Sequence, residues 1–290
     1  MKITVIGGSG FLGSHVADLL TESGHDVIIY DKKESNWKNK KQKIILGDIL
    51  EIENLEKVIS KSEIVYNFAA VSDIDETIHK PIETSKVNII GTLNALELCK
   101  KYSIKRFILA STIYVYSTDF GNFYKCSKKS AENFVEEYNR LFDLNYTILR
   151  YGSLYGPRSD NKNGLYKIIK SAIENEEINY DGNIEARREY IHVRDAASAS
   201  VKILENEFKN QNIILSGQES FRVYDVMKMV SEILGKKHKL NFSDKKKGGH
   251  YLRSPYSYQP RIAKKYTPNF YYDIGQGILQ MIGEIKGKKN

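Results

Sequence analysis

Residues 2–13, Lys2-Ile3-Thr4-Val5-Ile6-Gly7-Gly8-Ser9-Gly10-Phe11-Leu12-Gly13, decide the fold. The first five read as a parallel strand buried on both faces. The glycines then turn that strand into a helix whose N-terminal amides can hold a pyrophosphate. Small residues at Gly7, Gly10 and Gly13 let the backbone approach a ligand, with Phe11 and Leu12 entering the helix. The G-x-x-G-x-x-G spacing is one short of the commonest dinucleotide fingerprint, so alone it also fits an ordinary strand-to-helix connection. Support comes from the next strand. Val27-Ile28-Ile29-Tyr30 ends at Asp31, roughly 20 residues after the loop, where a carboxylate can accept both ribose hydroxyls of an adenosine. That placement favours NAD over NADP, because a 2′-phosphate beside Asp31 meets like charge; Lys32 and Lys33 offset part of the repulsion.

A second pattern supplies reactivity. Tyr124 and Lys128 stand four apart, which on a helix puts a phenol and an ammonium on one face. The cation favours the phenolate and is expected to lower the Tyr pKa toward neutrality, giving a base for a sugar or alcohol hydroxyl.

With 290 residues, 41% of them hydrophobic, the chain can bury a substantial core as one large α/β unit or two lobes. No apolar run reaches the length of a membrane span, and the first residues enter a core strand without a signal-peptide pattern, so the expectation is a soluble, cytoplasmic protein. The two cysteines, Cys99 and Cys126, are too few for a disulfide framework and lack partners at metal spacing; both read as free thiols, Cys126 as a packing residue, and no metal is expected. The net charge of +8 comes mainly from lysines in the stretches Lys32 to Lys43, Lys245 to Lys247 and Lys286 to Lys289. These lack interleaved aromatics and any nucleic-acid module, so solvated faces and a frayed tail are expected, with neither nucleic acid nor membrane as partner.

Short apolar runs near Ile44 to Leu46, Ile64 to Phe68, Arg106 to Ala110 and Tyr146 to Leu149 alternate with helical patterns, the rhythm of an α/β fold with a doubly wound parallel sheet. A helix from about Thr84 to Lys101 is expected to carry Val87, Ile90, Leu93 and Leu96 on one face, with Gly91 allowing close approach. After Arg150 the rhythm changes to a loop 151–160, a helix over about 165–175 and a strand near Ile178. From about Ser216 the chain reads as loop-rich, holding Tyr251, Tyr256, Tyr258, Tyr266, Tyr271 and Tyr272. Residues 1–150, joined by about 190–215, are expected to form the cofactor-binding domain; 151–189 and 216–290 form a smaller, mostly C-terminal substrate lobe.

Taken in order, Gly7 to Gly13, Asp31, Gly47-Asp48-Ile49, Asn67-Phe68-Ala69-Ala70, Asn88-x-x-Gly91-Thr92, Ala110-Ser111-Thr112, Tyr124-x-x-x-Lys128, Arg150-Tyr151-x-x-x-Tyr155-Gly156-Pro157-Arg158 and Arg188-Glu189-Tyr190-Ile191-His192-Val193 resemble the extended short-chain dehydrogenase/reductase family, within it the NAD-dependent nucleotide-sugar epimerase/dehydratase group. The resemblance implies a Rossmann-type sheet and a homodimer through the Tyr124 helix and the Thr84 to Lys101 helix. It implies that Thr112 hydrogen-bonds the reacting hydroxyl, Tyr124 moves its proton, and Lys128 holds the nicotinamide ribose. Asp48 and Ile49 would meet the adenine, Ala69 and Ala70 would pass beneath the pyrophosphate, and Arg188 with Arg253 would bind the substrate's phosphates. His192 is left as a packing residue.

Three departures from the family pattern bear on the reaction. The stretch from Tyr116 to Tyr124 is short, so a loop that commonly covers the substrate is missing; Ser153 stands for the usual substrate-bonding Asn; and Ile113 and Tyr114 replace the dehydratase acid/base pair. Oxidation of a sugar hydroxyl and re-reduction from the other face then remains, most simply epimerisation at C4 of a nucleoside-diphosphate sugar. Tyr114 keeps a dehydratase, a C3/C5 epimerase or a 4-ketosugar reductase open as alternatives. A non-catalytic dinucleotide sensor is the reading from another class, disfavoured by the intact Tyr/Lys pair.

Overall fold

Lys2–Ile6 form β1, and Ile3 to Ile6 are all buried, as a central parallel strand covered on both faces requires. The computed structural model of the chain describes residues 1–37, 39–243, 250–255 and 263–287. Tyr256, Tyr258 and the lysines at 38, 245–247 and 288–289 lie outside them.

From β1 the chain runs through α1 (Phe11–Glu22), β2 (Asp26–Asp31), β3 (Lys43–Leu46), α2 (Ile52–Ile59), β4 (Ile64–Asn67), α3 (Ile74–His79) and α4 (Pro81–Ser85). A π-helical turn (Lys86–Ile90) joins α4 to α5 (Gly91–Lys101), followed by β5 (Arg106–Thr112), a 3₁₀ turn (Ile113–Tyr116), α6 (Asn122–Phe142) and β6 (Tyr146–Tyr151). Beyond Arg150 come β7 (Ser153–Tyr155), α7 (Gly164–Glu174), β8 (Glu177–Tyr180), β9 (Arg187–Arg188), β10 (Tyr190–His192), α8 (Val193–Lys202) and β11 (Gln211–Leu215). The last described elements are β12 (Phe221–Arg222), α9 (Val223–Ile233), β13 (Lys239–Phe242), β14 (Lys264–Lys265) and α10 (Ile274–Gly287).

The main sheet has eight strands in the order β14-β11-β6-β5-β4-β1-β2-β3, every pair parallel. This is the doubly wound α/β fold expected from the sequence. The strand order reverses between β1 and β4, and in such sheets ligands bind beyond the carboxyl ends of the strands at that switch point. One face of the sheet packs against α1 and α8 through Val16, Leu20, Ala196 and Ile203. The other packs against α2, α5 and α6 through Leu55, Leu96 and Val135. A third cluster joins α7, α9 and α10 through Ile169, Val226 and Ile278. Burying one such aliphatic side chain stabilises by about 1.5–3 kcal/mol, so each helix is held by its apolar stripe rather than by propensity.

Two expectations need correction. The helix expected over 84–101 is present, running without a gap from α4 into α5, but the π turn within it leaves Ile90 48% exposed while Val87 and Leu96 are buried; one extra residue in the turn rotates the stripe. The stretch after Ser216 is not mainly loop among the described residues: α9 buries Val223, Val226, Met227 and Val230, and α10 buries Ile274, Ile278, Met281, Ile282 and Ile285. Helical spacing carried both elements, and the many tyrosines obscured it.

Candidate active site

The loop after β1 works by close approach. Gly7 has φ of +79°, and a Cβ there would stand 2.6 Å from the backbone nitrogen of Ala69. A Cβ on Gly13 would stand 2.2 Å from the Gly7 carbonyl oxygen. Neither position accepts a larger residue without moving backbone. Gly10 is the N-cap of α1 and provides no side-chain cap, so the leading N–H groups of α1 receive no side-chain partner at the cap and suit an anion.

Asp31 at the end of β2 is oriented by two backbone donors, Ser9 N–H at 3.0 Å and Lys33 N–H at 3.1 Å. Asp48 accepts from Leu50 N–H at 3.0 Å and pairs with Lys32 Nζ at 2.9 Å, so Lys32 is engaged by Asp48 while Lys33 lines the cleft. Ala69 N–H donates to the Asn67 side chain, and Asn67 in turn donates to Thr92. Asn88, inside the π turn, accepts from Val71 N–H and donates to the Val71 carbonyl and to Ser127. The turn therefore ties the loop beneath the cofactor cleft to the residue before Lys128, a functional use common for π turns.

One cleft of about 880 Å³ joins these residues to the reactive pattern: Gly7, Gly10, Phe11, Leu12, Gly13, Asp31, Ile49, Ala69, Ala70, Thr112, Tyr124 and Lys128 all line it. Thr112 closes β5, and its Oγ1 accepts from Tyr114 N–H at 3.3 Å. Tyr124 lies in the first turn of α6. Lys128, one turn on and buried, donates to the Ala110 carbonyl at 2.9 Å, with Nζ 5.9 Å from the Tyr124 ring centre. Behind Lys128, the fully buried Glu132 accepts two bonds from Arg150, each 2.8 Å, and one from Ser111 at 2.6 Å. This locks α6 to β5 and β6.

The expected acidification of Tyr124 is not achieved by the protein groups. Burial pushes Tyr124 up to about 12 and Lys128 down to about 8. Desolvation opposes both charged forms, and the ammonium is directed at a carbonyl rather than at the phenol oxygen. Cys126 is exposed, not packed, while Cys99 is buried.

The residues expected to meet substrate gather elsewhere, around Tyr251. Ser153 Oγ and the Tyr251 hydroxyl are 3.3 Å apart. The Arg188 guanidinium donates to the Tyr251 carbonyl at 2.6 Å and to Tyr180 Oη at 3.1 Å, and lies 4.5 Å from the Tyr251 ring centre. Tyr114 packs on Tyr251 at 4.9 Å between ring centres and shares a 2.7 Å hydrogen bond with His250 Nδ1. Arg253 is exposed. The shortened connection ahead of α6 turns at Gly121, where φ is +93° and a Cβ would stand 3.0 Å from that of Tyr114. Tyr251 packs with Ile113 and Tyr116. His192 is buried and stacks on Tyr272.

The model of the NAD dependent epimerase/dehydratase family matches residues 3–216. The chain belongs to this family. It is 28% identical to a putative UDP-glucose 4-epimerase of Methanocaldococcus jannaschii over 98% of both chains. It is 30% identical to a dTDP-D-glucose 4,6-dehydratase of Dictyostelium discoideum over 68% of this chain and 54% of the other. The solved structure of a UDP-glucose 4-epimerase from Thermotoga maritima with UDP-glucose superposes over all of both chains with a TM-score of 0.88 at 27% identity. The family's cofactor, NAD, fits the residues present: a cradle that a Cβ would fill at Gly7 and Gly13, and the oriented carboxylate of Asp31.

Among the cleft residues to which sequence reading gave no role are Trp37 and Arg158. Arg158 stood within a family motif without a role, and nothing around Trp37 in the sequence marked it.

Proposed function

We propose that the protein is an NAD-dependent epimerase of a nucleoside-diphosphate sugar, acting at C4 through a transient 4-keto sugar. The supporting observation is that Thr112, Tyr124 and Lys128 line the same cleft as the glycine loop, while the two dehydratase positions hold groups unsuited to proton transfer. Ile113 is a buried hydrocarbon. Tyr114 is held well above the usual phenol range by burial, and His250 is lowered by burial, so both groups are kept neutral, and they share one hydrogen bond. The Tyr114 hydroxyl is engaged by that bond, whereas Tyr124 lines the cofactor cleft.

NAD, held by the glycine loop and Asp31, would supply the hydride transfer to and from the sugar carbon. Thr112 positions the sugar hydroxyl, and Tyr124 takes its proton as the C4–H bond breaks. Lys128, protonated below about pH 8, is assigned to the ribose. After the 4-keto sugar turns its other face, Tyr124 returns the proton and C4 is inverted. Arg188 and Arg253 are assigned to the diphosphate and Ser153 to the sugar, which for Arg188 means exchanging its bonds to the Tyr251 carbonyl and Tyr180 for phosphate oxygens.

The reading includes the division into a cofactor domain of 1–150 with about 190–215 and a substrate lobe of 151–189 and 216–290, supported by the separate α7–α9–α10 core. It also includes a homodimer, supported by Ile82, Ile90, Phe123 and Leu141 standing exposed along α4, the π turn and α6. A cytoplasmic location is part of the same reading; no helix among the described residues is long and apolar enough to cross a membrane.

Incubation of the full chain with NAD and a panel of nucleotide sugars, UDP-glucose included, tests the reaction. An epimer of unchanged mass without net cofactor consumption is expected. A product lighter by one water would replace this reading with a dehydratase and return Tyr114 to catalysis.

A further inference from the structure

Arg158 is placed in the cofactor cleft at some cost. It follows Gly156 and Pro157 and is a non-glycine residue at φ of +68°, a conformation costing on the order of 1 kcal/mol that persists only when its surroundings impose it. Three contacts do so. Its backbone N–H faces the Glu284 carboxylate of α10 at 3.1 and 3.2 Å. The preceding Pro157 carbonyl lies 3.1 Å from His15 Nε2 on α1. Its own Nη2 donates to Asp18 of α1 at 2.7 Å. The guanidinium lies 5.3 Å from the Trp37 ring centre, and both residues line the cleft with Ser9, Gly10 and Asp31.

Within this arrangement Arg158 Nη1 is buried and has no hydrogen-bond partner among the described residues. An unsatisfied buried cationic donor is costly, and a site whose occupant supplies the acceptor removes that cost. The neighbouring groups identify the acceptor: the uncapped start of α1 and the glycine cradle favour an anion on the same side.

We propose that Arg158, aimed by Asp18 and Trp37, donates Nη1 to the anionic dinucleotide held at the glycine loop. The loop at residues 156–158 is thereby a clamp that reaches the cofactor from beyond β6. This rests on the dinucleotide lying at that loop, and is independent of which sugar is bound.

The chain has one tryptophan, Trp37, so its emission reports binding directly. NAD titrated into the full-length protein is expected to change Trp37 emission. Arg158→Met is expected to raise the NAD dissociation constant about 10- to 100-fold, the range of a hydrogen bond to a charged group, with UDP-glucose affinity at saturating NAD unchanged. Arg158→Lys keeps a cation for Asp18 yet cannot serve both partners, so it too should bind NAD at least about tenfold more weakly; it decides the matter if the Met variant does not fold. Wild-type NAD affinity in either folded variant overturns the proposal, whatever the change in melting temperature. Weakened UDP-glucose affinity with NAD affinity intact overturns it in favour of a substrate-side arginine.

Discussion

The cofactor cleft and the cluster around Tyr251 are built differently. At the cofactor end, positions are fixed by backbone that cannot move: Gly7 against Ala69, Gly13 against Gly7, and Asp31 tied to Ser9 only 22 residues away. At the substrate end, side chains from distant segments hold one another. Arg188 reaches Tyr251 across 63 residues, and Tyr114 reaches His250 across 136. The first is fixed by backbone contacts; in the proposed reading the second changes partners, with Arg188 exchanging its bonds to the Tyr251 carbonyl and Tyr180 for those of a diphosphate. A family with one cofactor and many sugars is well served by that division, since changes at the second end leave the first intact.

The largest effect that sharpens the contrast comes from the residue where the ends meet. Tyr124→Phe is expected to lower kcat by about two to four orders of magnitude, the range for a general acid/base, while NAD affinity stays within about twofold of wild type. Turnover near the wild-type value would remove Tyr124 from catalysis, and parallel loss of NAD affinity would mean that the two ends are not separable.

Next in size is Arg188→Ala. Sequence alone suggests a phosphate ligand whose removal spares stability. The buried guanidinium, bonded to the Tyr251 carbonyl and Tyr180 and packed on the Tyr251 ring, adds a structural role to the proposed one. Nucleotide-sugar binding should weaken by about 1.5–3 kcal/mol, and the melting temperature should fall as well, because the carbonyl and the ring lose their partner. Unchanged NAD affinity in the same variant keeps the ends independent; calorimetry with both ligands and a thermal melt read all three quantities.

These residues also show what could be read beforehand. The sheet, Asp31 and the Tyr124–Lys128 pair followed from patterns spanning a few residues, where glycine clashes and helix periodicity leave few alternatives. The pairing of Tyr114 with His250 and of Arg158 with Asp18, 140 residues apart, has no local signature, since tertiary packing alone brings those segments together. The pKa of Tyr124 was misjudged for a related reason. A four-residue spacing specifies proximity to Lys128, but neither the burial of both groups nor the Ala110 carbonyl that takes the ammonium.

A smaller effect probes the staple between α1 and the 156–158 loop. Burial pushes His15 down to about 4, so the folded protein keeps it neutral, with Nε2 donating to the Pro157 carbonyl. The folded value lies below the unfolded one, so the unfolded chain takes up the proton first. Stability is then constant above about pH 6.5 and falls as pH drops toward about 4, by about 1–2 kcal/mol after allowance for solvent screening. His192, also lowered to about 4 by burial, adds a fall of the same sign. His15→Asn should reduce the slope in melts taken between these pH values, with His25 and His250, also lowered by burial, contributing to what remains; an unchanged slope would show that the staple does not titrate.

The most direct measurement follows the hydrogen on the reacting carbon. UDP-glucose carrying deuterium at C4, incubated with the full chain and NAD, should yield the C4 epimer with deuterium still at C4 and mass unchanged, because the same carbon is oxidised and re-reduced within one site. Deuterium found at C6 with loss of water, or solvent hydrogen incorporated at C3 or C5 with the C4 configuration retained, would contradict inversion at C4 by Thr112, Tyr124 and Lys128.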